Sequence, residues 1–403
     1  MKRSRLKREL GLFQVTIAGV GIILGAGIYA LIGVAAGVAG NAVWLSFLIS
    51  AIIAAFTGLS YAELSSIFKK DSGEYEYCES AFGAGLASFV SILVIFTGIV
   101  SASTVAIGFG GYFASLFPGP IALGIVLLVL AMTFINFYGI KETNKFNFFA
   151  TIIELFGLLI IIALGFRHFG NVDIFSIDNG FSGIFQGAAL AFFAYMGFEM
   201  IVKLGEETKD PQKTIPRAIV LSVIITSIVY VLVAIAAVNM LPVEALASSE
   251  SPLADAAAQS FGGSTAFFVL AFIALFSTAN TVLMTMVMTS RMVYGLSNEK
   301  QFPSFLAEIH PKRKTPHIAV LFIGFFTIIF ATIGSIDFVA SITTLLLFAT
   351  FGFVNLAVII LRYKNKTKRK FRMPLNIGNF PIIALLGVLT SIIMMFYSLI
   401  NLF

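Results

Sequence analysis

Gly19-Val20-Gly21-Ile22-Ile23-Leu24-Gly25-Ala26-Gly27-Ile28-Tyr29 occupies the middle of an apolar run from about Leu12 to Gly37. Such a run is long enough to cross a bilayer, for which about 20 residues suffice. Four glycines, Gly19, Gly21, Gly25 and Gly27, fall within nine residues at its centre. Each weakens a helix by roughly 1 kcal/mol relative to alanine. A cluster of this kind at mid-membrane predicts a helix interrupted where it should be strongest. Unpaired backbone at that depth is tolerated only around a protein-lined or watery cavity. The plain alternative is close helix packing through small residues.

The whole chain reads as membrane. Of its 403 residues, 59% are hydrophobic and 11% charged, and the mean hydropathy is +0.99. No soluble domain of this size needs so much apolar surface, and segments of spanning length recur from end to end. The fold class expected is therefore an all-α polytopic membrane protein. The basic start, Met1 to Arg8, leads into a segment longer than a signal peptide's apolar region, so no cleavable signal is expected. A single cysteine, Cys78, excludes an intrachain disulfide. The histidines, His168, His310 and His317, fall in expected loops or at helix edges. No metal-ligand cluster, phosphate-binding loop or nucleophile motif is present, and no cofactor is expected.

Eleven spans are expected, at about 12–37, 41–68, 86–117, 120–139, 146–166, 181–203, 217–241, 264–296, 317–334, 337–361 and 379–402. With the N-terminus in the cytoplasm, 25 of the 26 Lys and Arg residues fall in cytoplasmic segments, and Arg167 alone falls outside. These segments are Lys2 to Arg8, Lys69 and Lys70, Lys141 and Lys145, Lys203 to Arg217, Arg291 to Lys314, and Arg362 to Arg372. The positive-inside rule accounts for them. The net charge of +6 is then topological and gives no reason to invoke nucleic acid. The expectation is an integral protein of the plasma membrane, with its C-terminus, Phe403, outside. Two connections exceed plain turns. Ser72 to Gly83 predicts a short interfacial helix. The acidic, alanine-rich Pro242 to Gly263 predicts either a short surface helix over the entrance or a solvated loop.

Part of the chain repeats. Gly11-Leu12-Phe13-Gln14 precedes Gly25, and Gly183-Ile184-Phe185-Gln186 precedes Gly197; both pairs are offset by the same number of residues. Five spans separate the copies, so the second lies inverted relative to the first. Many secondary transporters share this plan, with sites where two broken helices meet. The expected first repeat covers residues 12–166 and the second 181–361, with 379–402 as an additional span.

The chemistry of such a site follows from the breaks. In span 1 the outer half begins near Ala26, Gly27 and Ile28, whose N–H groups lack helical acceptors and suit a carboxylate. The inner half ends near Ile22, Ile23 and Leu24, whose carbonyls suit a cation. Span 6 ends its first half near Ala191, Phe192 and Phe193, with Ala194 following, and those carbonyls suit an ammonium group. Carboxylate and ammonium together describe an α-amino acid.

Four stretches resemble the amino acid–polyamine–organocation family of permeases. They are Gly25-Ala26-Gly27-Ile28-Tyr29; Ser72-Gly73-Glu74-Tyr75 with Ala81-Phe82-Gly83; Phe192-Phe193-Ala194-Tyr195-Met196-Gly197-Phe198-Glu199 running through Glu206-Glu207-Thr208-Lys209-Asp210-Pro211 to Ala218; and Ser290-Arg291-Met292-Val293-Tyr294-Gly295-Leu296 with Phe302-Pro303. The resemblance implies a LeuT-type 5+5 inverted repeat with helices 1 and 6 broken, and about 11 transmembrane helices where many relatives have twelve. It implies that Gly25, Ala26 and Gly27 form the break and that Phe193 is an aromatic gate over the substrate; the alternative is a lipid-facing or core phenylalanine. Glu199 matches a position often acidic in relatives, where it either braces the unwound segment or senses protons.

Two further acids stand out. Glu63, near the inner end of span 2, is expected to snorkel or cap. Glu154 lies near the centre of span 5, where many sodium-independent relatives carry a lysine. An acid there can load and release a proton or join a cation site, with Ser277, Thr278, Asn280 and Thr281 of span 8 supplying oxygens. Its alternative is a hydrogen bond to a neighbouring helix. Intramembrane carboxyls are expensive to keep, which favours function.

The function expected is a secondary active amino acid permease working by alternating access, with a proton, or sodium, as coupling ion. A cationic amino acid or polyamine exchanger is the nearest alternative. An intramembrane enzyme or receptor is the alternative from another class; an enzyme would need a nucleophile–base pair or metal ligands within the spans, where no histidine lies.

Overall fold

A computed structural model of the chain describes residues 10–68, 73–260, 263–298, 300–364, 369–400 and 402. The basic segments at Met1 to Arg8, Lys69 and Lys70, and Lys366 and Lys368, together with Ser72, lie outside the described residues.

The first expected span is two helices, α1 (Leu12–Ile23) and α2 (Ala26–Ala39), separated by Leu24 and Gly25. Gly25 is fully extended, with φ −119° and ψ −171°. The 24–26 backbone therefore leaves the helical ladder at the predicted glycine cluster. A tight turn at Gly40, with φ +71°, leads into α3 (Val43–Ser65). Next come α4 (Gly73–Phe82), α5 (Ala84–Leu116), α6 (Ile121–Tyr138) and α7 (Ile140–Phe166).

The sixth expected span is also interrupted. Its first half, α8 (Gly180–Ala191), passes into a 3-10 turn, Phe192–Tyr195; the chain then opens at Met196 and Gly197 and resumes as a 3-10 helix over Phe198–Glu207. Ten residues is long for that geometry, which is rarely sustained beyond one turn and recurs at functional hinges. Gly197 has φ +115°, a conformation that a side chain disfavours.

After this come α9 (Pro211–Met240), α10 (Val243–Ser248), α11 (Pro252–Ser260), α12 (Ser264–Asn298), α13 (His317–Ile333), α14 (Ile336–Lys364) and α15 (Ile382–Ile400). A two-stranded ribbon, β1 (Asn376–Ile377) against β2 (Phe380–Pro381), joins α14 to α15. Among the described residues, nine helical stretches are long and apolar enough to cross a membrane, one of them running from Ala26 to Ser65, with α1 and α13 as shorter apolar helices. The large apolar side chains left exposed, such as Phe134, Phe156, Ile228, Phe325 and Ile392, form the surface a lipid environment would cover.

The expected interfacial helix is α4. The acidic segment is helical rather than a solvated loop. Its helices α10 and α11 are sunk into the bundle, with Leu246, Leu253, Ala254, Ala256 and Ala257 fully buried. Glycines on the facing helices make the room: a Cβ on Gly33 would lie 2.3 Å from the Leu246 carbonyl oxygen, and one on Gly111 would lie 2.5 Å from that of Glu250.

Helices five spans apart pack alike. Helix α1 lies on α9, as α8 lies on α3; α5 lies on α14, as α12 lies on α7. The pairs α3–α9 and α5–α12 are in contact as well.

Candidate functional site: the meeting of two helix breaks

The two breaks touch. A Cβ on Gly27 would lie 2.5 Å from the Cα of Ala194, and one on Gly197 would lie 2.9 Å from the Ile22 carbonyl oxygen. Small residues thus serve close packing here, as the plain alternative held. They also bound a cavity of about 140 Å³ on the side facing α5 and α12. One water needs about 10–15 Å³ on that measure, so a small solute fits.

Gly21, Ile22, Ile23, Gly25 and Gly27 line the cavity from the first break, and Phe193, Ala194, Met196, Gly197 and Glu199 from the second. Asn280 and Thr281 of α12 lie opposite. Four of the expected substrate-binding residues do not line it: Ala26, Ile28, Ala191 and Phe192 are wholly buried behind its wall. Consecutive residues in a helical turn point in different directions, so only part of each break can face one space. Phe192 instead packs against Phe348, the rings tilted by 45° with 4.5 Å between their centres.

Several of the backbone groups freed by the breaks are met by side chains of α9 and α12. Thr281 Oγ1 accepts the Ala26 N–H at 3.0 Å. Tyr230, buried on α9, was not singled out from the sequence, and it joins the two breaks. Its hydroxyl lies 2.7 Å from the Ile23 carbonyl oxygen and 2.9 Å from that of Ala194. One hydroxyl proton serves the two carbonyls alternately. The available signal was a tyrosine in mid-span, whose O–H must find a partner away from water. The amides of Gly27 and Ile28 fall in the first turn of α2, where intrahelical acceptors are lacking.

Glu199 accepts the Gly197 N–H at 2.9 Å, across the open part of the second break. A second acid of the cavity, Glu74 on α4, is 3% exposed and accepts the Tyr61 hydroxyl at 2.9 Å. Its place at the cavity is not legible in the sequence, where it belongs only to a motif of the resemblance, because a connecting helix gives no reason to expect a side chain reaching the bundle interior.

Glu154 is buried on α7 and lies off the cavity. Its Oε1 accepts the Ser277 hydroxyl at 2.6 Å, and its Oε2 has no hydrogen-bond partner among the described residues. Tyr29 donates to its backbone carbonyl at 3.1 Å. The four expected oxygen ligands do not converge on it. Ser277 reaches it; the Thr278 hydroxyl turns back to the Ala274 carbonyl at 2.7 Å; Asn280 and Thr281 face the cavity. Residues 277, 280, 281 and 284 share one helical face, and Ser277 stands a turn beyond the cavity's end.

Glu63 corrects its expectation. It neither snorkels nor caps: it is wholly buried and paired with Arg362 at 2.5 Å and Arg369 at 3.1 Å, and it accepts the Met373 N–H at 3.0 Å. Its partners come from α14 and the ribbon segment about 300 residues on, which no local pattern in span 2 reveals.

A polytopic helical protein with a small-solute cavity at two helix breaks has the build of a transporter. The chain belongs to the amino acid permease family, whose model matches residues 10–402. It is 30% identical over 393 residues to a branched-chain amino acid permease of Bacillus subtilis (strain 168), covering 92% of this chain and 84% of that one. It is 28% identical to a methylthioribose transporter of the same organism, over 93% of this chain and 85% of that one. It is also 27% identical to the cationic amino acid transporter 7, chloroplastic, of Arabidopsis thaliana, over 89% of this chain and 66% of that one. This family and these relatives make the chain a transporter of the amino acid permease class rather than an enzyme.

Proposed function

We propose that the protein is a secondary active amino acid permease that alternates access to the cavity between the two helix breaks. The observation that carries this reading is the contact of two interrupted helices, Gly27 against Ala194 and Gly197 against Ile22, around a solute-sized cavity. The substrate carboxylate is read onto the first-turn amide of Gly27, which lines the cavity, and the ammonium onto carbonyls around Ile22 and Phe193. The matching contacts of helices five spans apart support two inverted repeats, 12–166 and 181–361, rocking as bundles.

The cavity extends along α12 from Asn280 to Met292 and reaches Glu74 on α4. If the positive-inside rule sets the orientation, that end faces the cytoplasm, the protein lies in the plasma membrane with the N-terminus inside and Phe403 outside, and this is an inward-facing state. Phe193, 4% exposed, is the gate toward the other side. Glu154, whose Oε2 has no hydrogen-bond partner among the described residues, is the proposed carrier of the coupling proton, and Glu199 the brace of the second break.

A cationic amino acid or polyamine exchanger is favoured by one observation, the two acids Glu74 and Glu199 at the cavity. Uptake of labelled amino acids into proteoliposomes, with pH and sodium gradients imposed separately, tests both readings. Accumulation driven by a pH gradient supports the first. Uptake that needs internal amino acid or amine and ignores both gradients supports the exchanger.

A further inference from the structure

The cavity wall beyond the breaks is rich in methionine. Of the chain's 12 methionines, five line this cavity: Met196, Met200, Met284, Met288 and Met292. The last three recur every fourth residue on α12 and so share one face. All five are part-exposed, whereas Met286 on the same helix is fully buried in the core. Met196 and Met200 flank the second break, one residue before Gly197 and three after it. The wall is less polar than its threonines suggest, because the Thr97 and Thr289 hydroxyls bond the carbonyls of Leu93 and Thr285 in their own helices, at 2.8 and 2.7 Å.

Resting on the amino acid reading above, we propose that this methionine wall is the side-chain compartment of the substrate site and selects large apolar side chains, aliphatic, aromatic and thioether alike. A thioether side chain has three rotatable bonds and a polarisable sulfur, so it repacks around occupants of different shape. A wall of β-branched residues would fix one outline. Among the described lining residues the ionisable ones are Glu74, Glu199 and Tyr61. Two carboxyl groups and no basic side chain oppose an acidic substrate.

The test is thermal stabilisation of the purified full chain by single amino acids, since a ligand of the folded state raises its melting temperature. Leucine, isoleucine, methionine and phenylalanine are expected to bind about tenfold or more tighter than alanine and glycine, with aspartate and glutamate inert. Met288→Leu should keep this ranking, and Met288→Ile should narrow it by weakening phenylalanine several-fold relative to leucine. Lysine or arginine binding best would overturn the proposal and hand selectivity to Glu74 and Glu199. A flat ranking across the apolar series, or an unchanged ranking in Met288→Ile, would overturn it too. No shift with any amino acid would remove the amino acid reading itself, and this inference with it.

Discussion

The Cβ position of Gly27 lies 2.5 Å from the Cα of Ala194. Backbone cannot yield as a side-chain tip can, so any substituent at Gly27 must part the two interrupted helices. Gly27→Val is therefore expected to abolish uptake in proteoliposomes while the chain still inserts in the membrane, and to lower the melting temperature. Uptake at the wild-type rate would mean that the breaks need not touch.

Tyr230 holds the same junction from the α9 side. Tyr230→Phe keeps the ring, which packs edge-on against Tyr195 at 5.3 Å, and deletes the hydroxyl between the Ile23 and Ala194 carbonyls. Leaving a buried acceptor unsatisfied costs about 1–3 kcal/mol. The melting temperature in detergent should fall, with slower transport. Equal stability would show that the two carbonyls find other donors.

Glu154→Gln tests coupling. Glutamine keeps the shape and the bond from Ser277 but cannot change charge. If Glu154 carries the proton, it must hold it in one facing state and release it in the other. The variant should then bind substrate and exchange it across the bilayer, yet fail to accumulate it under an imposed pH gradient. Full gradient-driven accumulation would reduce Glu154 to a partner of Ser277.

Glu63 and Arg362 are 0% and 2% exposed at their side chains. Removing one partner of a buried pair costs about 3–5 kcal/mol, because the other charge stays behind. Glu63→Ala should strongly destabilise the fold, and Glu63→Ala combined with Arg362→Met should recover part of the loss. The melting temperatures of the single and double variants decide it; additive losses would rule out coupling between the two groups.

Cys78, on α4 outside the spanning helices, is wholly buried, and burial pushes its thiol up to about 12. The thiolate is the reactive form, and its fraction becomes substantial only near that value. Maleimide labelling of the folded protein should be negligible at pH 7 and become complete on denaturation. Rapid labelling at neutral pH would show that α4 opens readily from the bundle.

Local pattern carried much of the fold. Apolar runs of spanning length predict helices because lipid leaves the backbone no outside partner, and each of the eleven expected segments holds helix, with α4, α10 and α11 lying between them. The first break was legible because four glycines in nine residues remove side chains where a helix most needs them. The second was legible through its matching offset and its motif.

What only the tertiary structure decided is which of those break residues face a common space, and with whom. Ala26, Ile28, Ala191 and Phe192 share the breaks but point behind the cavity, since each helical step turns the side chain by about 100°. Tyr230, Glu74 and the α12 methionines enter the site from other helices, and Glu63 finds Arg362 nearly 300 residues away. A sequence marks where polar groups must be satisfied in the membrane. Only packing brings together the groups that satisfy them, because those partners are close in space and far apart along the chain.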